Sequence, residues 1–77
     1  MNNTDRKKLE IAMFHLSNAQ LIISELKDSE REKFDNLNEG LQASEKGQKL
    51  EAGADSLDYI HDDIENIVDS LTEIIGG

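Results

Sequence analysis

From Leu57 onward the sequence repeats every seven residues. Leu57, Ile64 and Leu71 open three successive heptads, Ile60, Ile67 and Ile74 stand fourth in them, and His61, Val68 and Ile75 stand fifth. With the heptad lettered a to g, this is an a/d/e stripe, the pattern of a helix with one buried face. The other positions of the stretch carry many carboxylates and not one base. An isolated helix of this kind is marginal in water. The rest of the chain has to supply its partner.

The first thirty-odd residues read as that partner. Thr4 or Asn3 suits an N-cap, and Asp5 places a negative charge in the first turn, where the helix dipole favours it. From there to about Lys33 no proline or glycine interrupts. In the same frame a is Leu9, Leu16 and Ile23, d is Ala12, Ala19 and Leu26, and e begins with Met13. The alanines allow a neighbouring helix to come close. A second apolar set, Ile11, Phe14, Leu21 and Ile22, falls outside the stripe. Phe14 and Leu21 lie roughly 140° round from the a positions at about 100° per residue. One partner helix cannot cover both sides, so these four residues are expected to mediate self-association. The plainer alternative is that they are single exposed apolar residues, which are common.

Asn36, Asn38, Gly40 and Gly47 mark a linker, and Phe34, Leu37 and Leu41 are apolar groups within it that could plug one end of the helix pair. Ser44 then offers a new N-cap, with Gly47 and Gly53 weakening the turns that follow and Gly76 and Gly77 forming a natural stop. The expected fold is all-α and a single domain over residues 1–77. It is an antiparallel two-helix hairpin with a helix over about 4–35, a linker over about 36–43 and a helix over about 44–75. Dimerisation into a four-helix bundle with the first helices central is expected. The antiparallel pairing should set Arg6, Lys7 and Lys8 beside Asp69 and Glu73, and Lys27, Arg31 and Lys33 near the acids that open the second helix.

A chain of 77 residues supports only a marginal core of its own. It has no cysteine, which removes disulfides and thiolate metal sites and leaves self-association as the remedy. The formal charge is −9. Up to Lys33, six bases balance six acids; beyond it, Lys46 and Lys49 face eleven acids. Such a surface repels nucleic acid and anionic lipid and attracts basic protein surfaces. No apolar run reaches the length of a membrane span or a signal segment. A soluble protein of the cytoplasm, with no cofactor, is expected.

The linker Phe34-Asp35-Asn36-Leu37-Asn38-Glu39-Gly40-Leu41-Gln42-Ala43-Ser44-Glu45-Lys46-Gly47 resembles a stretch in small proteins of phages and other bacterial mobile elements. Those proteins look like this one along most of their length: an amphipathic helix, this linker, then an acidic helix. Many of them carry proline at the position of Asn38. The resemblance implies a phage or mobile-element setting in a bacterial host, and brings no activity with it.

Glu51, Asp55, Asp58, Asp62, Glu65, Asp69 and Glu73 follow one another at steps of three or four, so they form one row along the second helix. Like charges at i,i+4 cost a helix a few tenths of a kcal/mol each, about 0.2–0.5. The row is either a solvated face or a docking face for a basic partner. His15 falls at g and His61 at e. With Asp62 or Glu65, His61 offers a conceivable metal site, and Asp58 and His61 have the i,i+3 spacing of di-iron bundles. Those bundles need more inward carboxylates than this core supplies, so a hydrogen-bonded seam histidine is the preferred reading. No nucleophile has a base beside it, and no phosphate-binding loop is present. The expectation is a non-catalytic interaction protein, a phage-encoded modulator or inhibitor acting through its acidic helix at Asp55, Asp58, Asp62, Glu65, Asp69 and Glu73. The alternatives are a nucleic-acid mimic that blocks a DNA-binding groove, and a self-assembling bundle with no other target.

Overall fold

The computed structural model describes residues 1–76 and is all helical, with no strand among them. Helix α1 spans Asn3–Asp35, α2 is a single turn over Glu39–Gln42, and α3 spans Glu45–Gly76. Gly77, expected with Gly76 to stop the last helix, lies outside the described residues. The two long helices lie antiparallel: Gln20, Lys27 and Arg31 of α1 reach His61, Asp58 and Asp55 of α3 in that order. The hairpin is a rod of 58 × 15 × 13 Å.

Local side-chain chemistry sets the helix ends. The N-cap of α1 is Asn2, not Thr4 or Asn3: its backbone is extended, and its side-chain oxygen accepts the Asp5 amide at 2.8 Å. Asparagine is among the best acceptors for an orphan first-turn amide, and Thr4 already sits inside the first turn. At the other end the Asn36 amide still donates to Glu32 at 3.0 Å, after which the chain leaves the helix. Asn38 restarts it by accepting the Leu41 amide at 2.9 Å, so the linker contains a helical turn where irregular chain was expected. The Gln42 side chain ties that turn back to the Phe34 carbonyl at 3.2 Å. Ser44 then caps α3: its hydroxyl donates to the Leu41 carbonyl and accepts the Gly47 amide, and its carbonyl accepts Gln48 at 3.0 Å.

Gly47 does more than weaken a turn. It is one of two buried residues in α3, and a Cβ built on it would lie 2.5 Å from the Leu41 carbonyl oxygen and closer still to that of Gln42. The end of α2 therefore rests directly on the α3 backbone. Gly53, one turn and a half further on, has open space around it.

The contact between α1 and α3 uses two heptad positions, not three. Along the seam the shielded residues are Leu9, Met13, Leu16, Gln20, Ile23, Lys27, Glu30 and Phe34 in α1, and Gly47, Leu50, Ala54, Leu57, His61, Ile64, Val68, Leu71 and Ile75 in α3, with Arg6, Ala19, Ser24, Gly53 and Asp58 partly shielded beside them. Both seam sets advance by alternating steps of three and four, and both are a and e. The large d residues are left out: Leu26 is 51% exposed, Ile60 45%, and Ile67 and Ile74 50%. A single helix–helix seam covers two positions per heptad, so a three-wide stripe always leaves one over. In α1 e carries Met13 and Phe34 where d carries Ala12 and Lys33, and in α3 e carries Gly47 and Ala54, the two buried residues of that helix.

The result is a seam with very little interior. Among the described residues Ala54 is the only buried apolar side chain, and α1 contributes none. Midway, the seam is polar: Lys27 pairs with Asp58 at 3.6 Å, and the Gln20 amide donates to the His61 carbonyl at 3.3 Å. Phe34 and Leu37 shield the linker end while Leu41 stays largely exposed. Arg31 pairs with Asp55 at 3.2 Å, as the antiparallel arrangement requires, but Lys33 turns to Glu30 of its own helix at 3.1 Å. Among the described residues no ion pair joins Arg6, Lys7 or Lys8 to Asp69 or Glu73. Arg31 reaches the f carboxylate of Asp55 from a b position, whereas Arg6, Lys7 and Lys8 stand at e, f and g, and Glu73 at c points furthest from α1.

Candidate functional site

A hairpin joined at a and e has two broad faces, one edged by the b columns and one by the d columns. Arg31 is b, and the carboxylates it meets, Asp58 and Asp55, are b and f. The b and f columns of both helices therefore share one broad face, and the d columns share the other.

The b/f face is acidic. Glu51, Asp55, Asp58, Asp62, Glu65 and Asp69 alternate between b and f along α3, and Glu73 extends the stripe at c. Its linker half is partly neutralised, since Lys27 and Arg31 engage Asp55 and Asp58. Its open half, Asp62, Glu65, Asp69 and Glu73, has no base from α1 beside it among the described ion pairs. On the same side, at the outer edge of α1, stand Phe14, 64% exposed, and Leu21, 60% exposed. Both are f residues, level with the open half of the stripe in the antiparallel register and separated from it by Ser17 and Ser24. Ile11 and Ile22, also exposed, lie at c and g, further round α1.

The stripe carries a local cost. Asp58/Asp62 and Glu65/Asp69 are like charges one turn apart, each unfavourable by about 0.2–0.5 kcal/mol. The triple variant Asp62→Asn, Glu65→Gln, Asp69→Asn is expected to melt a few degrees above the wild type at low salt, and thermal circular dichroism reads this directly. An unchanged or lower melting temperature would show that the acids do not strain the helix.

His61 is half-buried in the seam, and its ring nitrogen Nδ1 lies 3.2 Å from the Asp62 carboxylate. Potential ligand atoms of His61, Asp62 and Glu65 fall within 4.8 Å of one another. All three come from one helix, and the two carboxylates are exposed. His15 takes no part in this group, because g points away from the seam. Asp58, expected to sit with His61 at i,i+3, is turned instead to Lys27 and Arg31. The arrangement is a seam histidine oriented by its neighbour's carboxylate.

Among the described residues, one depression of about 440 Å³ lies beside Glu45, Lys46, Lys49 and Leu50, and another of about 150 Å³ lies between Arg31, Phe34, Asp35, Glu51 and Ala54. Both open to solvent, and neither brings a nucleophile together with a base. No helix among the described residues is long and apolar enough to cross a membrane.

Comparison with known proteins returned no match: no family model, no curated protein and no solved structure matches the chain. The functional reading rests on the two faces.

The d/g side is the part that sequence reasoning misplaced. Ile60, Ile67 and Ile74 were expected in the hairpin seam and instead form an exposed column. The width of the stripe was the available signal, since three apolar positions per heptad exceed what one partner helix covers.

Proposed function

We propose that this chain is a non-catalytic protein-interaction module, a modulator that docks its acidic face on a basic protein surface. The observation that supports the reading most is the pairing of the open acidic stripe with Phe14 and Leu21 on one broad face. Binding energy at protein interfaces concentrates in a few buried apolar or aromatic anchors, while charge around them guides approach and selects the partner. Two exposed apolar residues level with a run of carboxylates that no base of α1 neutralises offer both. A partner with Lys or Arg flanking an apolar pocket fits this face. A pure mimic of the nucleic-acid backbone has no use for the anchors, and acids about 5 Å apart along a helix match the roughly 3.4 Å phosphate spacing of a DNA strand loosely. The resemblance of the linker to phage and mobile-element proteins supports a phage-encoded modulator acting in the cytoplasm of a bacterial host.

The test is affinity capture from a bacterial lysate with three baits: the wild type, Asp62→Asn/Glu65→Gln/Asp69→Asn, and Phe14→Ser/Leu21→Ser. A specific partner is expected on the wild type and lost from both variants, with affinity falling as salt rises. A partner retained by both variants, or displaced by DNA and indifferent to the Phe14 and Leu21 changes, would overturn the reading.

A further inference from the structure

We infer that the opposite broad face, lined by Ala12, Ala19, Leu26, Ile60, Ile67 and Ile74, is where a second copy of this chain docks to make a four-helix bundle. The inference does not depend on the identity of the acidic-face partner. Three observations carry it.

The first is area. A folded protein of 8.6 kDa ordinarily exposes about 4,700 Å². The single hairpin exposes 5589 Å². The excess, roughly 900 Å², is close to the 800 Å² or so that each partner buries in a standard interface.

The second is charge. Each copy carries −9, so two copies can meet only where the acids are not. On α3 the d and g columns beyond Gly53 hold a single carboxylate, Asp63, whereas the stripe of acids occupies b and f. Packing through Phe14 and Leu21 instead would bring the two acidic faces toward each other.

The third is shape. On this face α3 presents a column of isoleucines and α1 presents Ala12 and Ala19. A two-fold axis along the length of the rod places α3 over the partner's α1, so each isoleucine column lies against the alanines of the other copy. The surface is complementary to itself, which is what a two-fold interface requires. It also gives the third position of the a/d/e stripe a buried setting in both helices.

The chain has no cysteine, so single thiols can be placed at will. Ile67→Cys should become protected from a maleimide reagent as concentration rises through the dimerisation range. Leu21→Cys should react at the same rate throughout. Ile67→Glu should sediment as a monomer or as a far weaker dimer, with at least a 30-fold loss of affinity, while Phe14→Asp/Leu21→Asp stays dimeric. Spin labels on Gln48→Cys should lie within about 30 Å of each other, since the long-axis two-fold puts both linkers at one end. The other two-fold in the same face, crossing the middle of the isoleucine column at Ile67, sets the two labels about 57 Å apart, twice 19 residues at 1.5 Å each. A dimer that protects Leu21→Cys and leaves Ile67→Cys reactive overturns the face while keeping the dimer. Label distances beyond about 50 Å overturn the orientation, and a wild type that sediments as a folded monomer overturns dimerisation itself, all without touching the acidic-face reading.

Discussion

Gly47→Ala should lower the melting temperature by about 8–16 °C, while the same replacement at Gly53 raises it. The two glycines lie six residues apart in α3 and have the same intrinsic helix propensity, so local context alone separates them. In an exposed helix, alanine is favoured over glycine by about 1 kcal/mol. Gly53 has nothing within 4 Å of an added Cβ, so Gly53→Ala is expected to gain that full amount, about 4–8 °C for a domain of this size. At Gly47 the added carbon meets the Leu41 and Gln42 carbonyls, which are backbone and cannot rotate aside. Relief requires α2 to lift from α3. That movement strains the Ser44 cap and the Gln42 bond to Phe34, which hold the two long helices in register. Overpacking of this kind costs about 1–3 kcal/mol, and moving backbone puts Gly47→Ala at the upper end, a net loss of about 2 kcal/mol after the propensity gain. Thermal melts of the two single variants decide it. A Gly47→Ala protein as stable as the wild type would mean that α2 does not rest on α3.

This contrast shows where sequence reading reaches its limit. Gly47 and Gly53 look alike in the sequence, each a glycine near the start of an acidic helix. What distinguishes them is the path of the chain between Asn36 and Ser44, and that path depends on Asn38 starting a fresh helical turn. An asparagine at that position signals a turn equally well, so irregular chain was the natural reading. The two long helices were readable because their period is sustained over many residues with nothing to break it. Which two positions of the stripe meet across the hairpin was not, since a, d and e are all apolar in α3. The tie is broken by α1, where Met13 and Phe34 at e outweigh Ala12 and Lys33 at d, and by Gly47 and Ala54, which are buried at e. The acidic stripe was visible as a row of steps of three and four. Its division into a neutralised half and an open half required Lys27 and Arg31 to be placed against Asp55 and Asp58. Lys33 and the bases at the N-terminus showed no comparable signal, because long side chains choose among several neighbours within reach.

The melting temperature of the wild type is expected to rise with protein concentration, by about 4 °C for each tenfold. The reason lies in the seam. A hairpin whose only buried apolar side chain among the described residues is Ala54, and whose middle is occupied by Lys27, Gln20 and His61, removes too little apolar surface from water to offset the ordering of 77 residues. Covering Ile60, Ile67, Ile74 and Leu26 with a second copy adds apolar burial of the size a standard interface provides. Folding and association then become one step, and mass action enters the stability. A tenfold change in concentration is worth about 1.4 kcal/mol per dimer. The unfolding entropy of two such chains, at about 2.1 cal/mol/K per residue, turns this into the stated shift. Between 1 µM and 1 mM the midpoint should therefore move by about 12 °C, with melting curves that stay reversible and superimpose after correction for concentration. Ile67→Glu should abolish the dependence and leave a chain mostly unfolded at 37 °C, whereas the Phe14→Ser/Leu21→Ser variant should keep the slope. A midpoint that does not move with concentration would mean that the a/e seam, thin as it is, holds the hairpin by itself. The exposed isoleucine column would then belong to some surface other than that of its own twin.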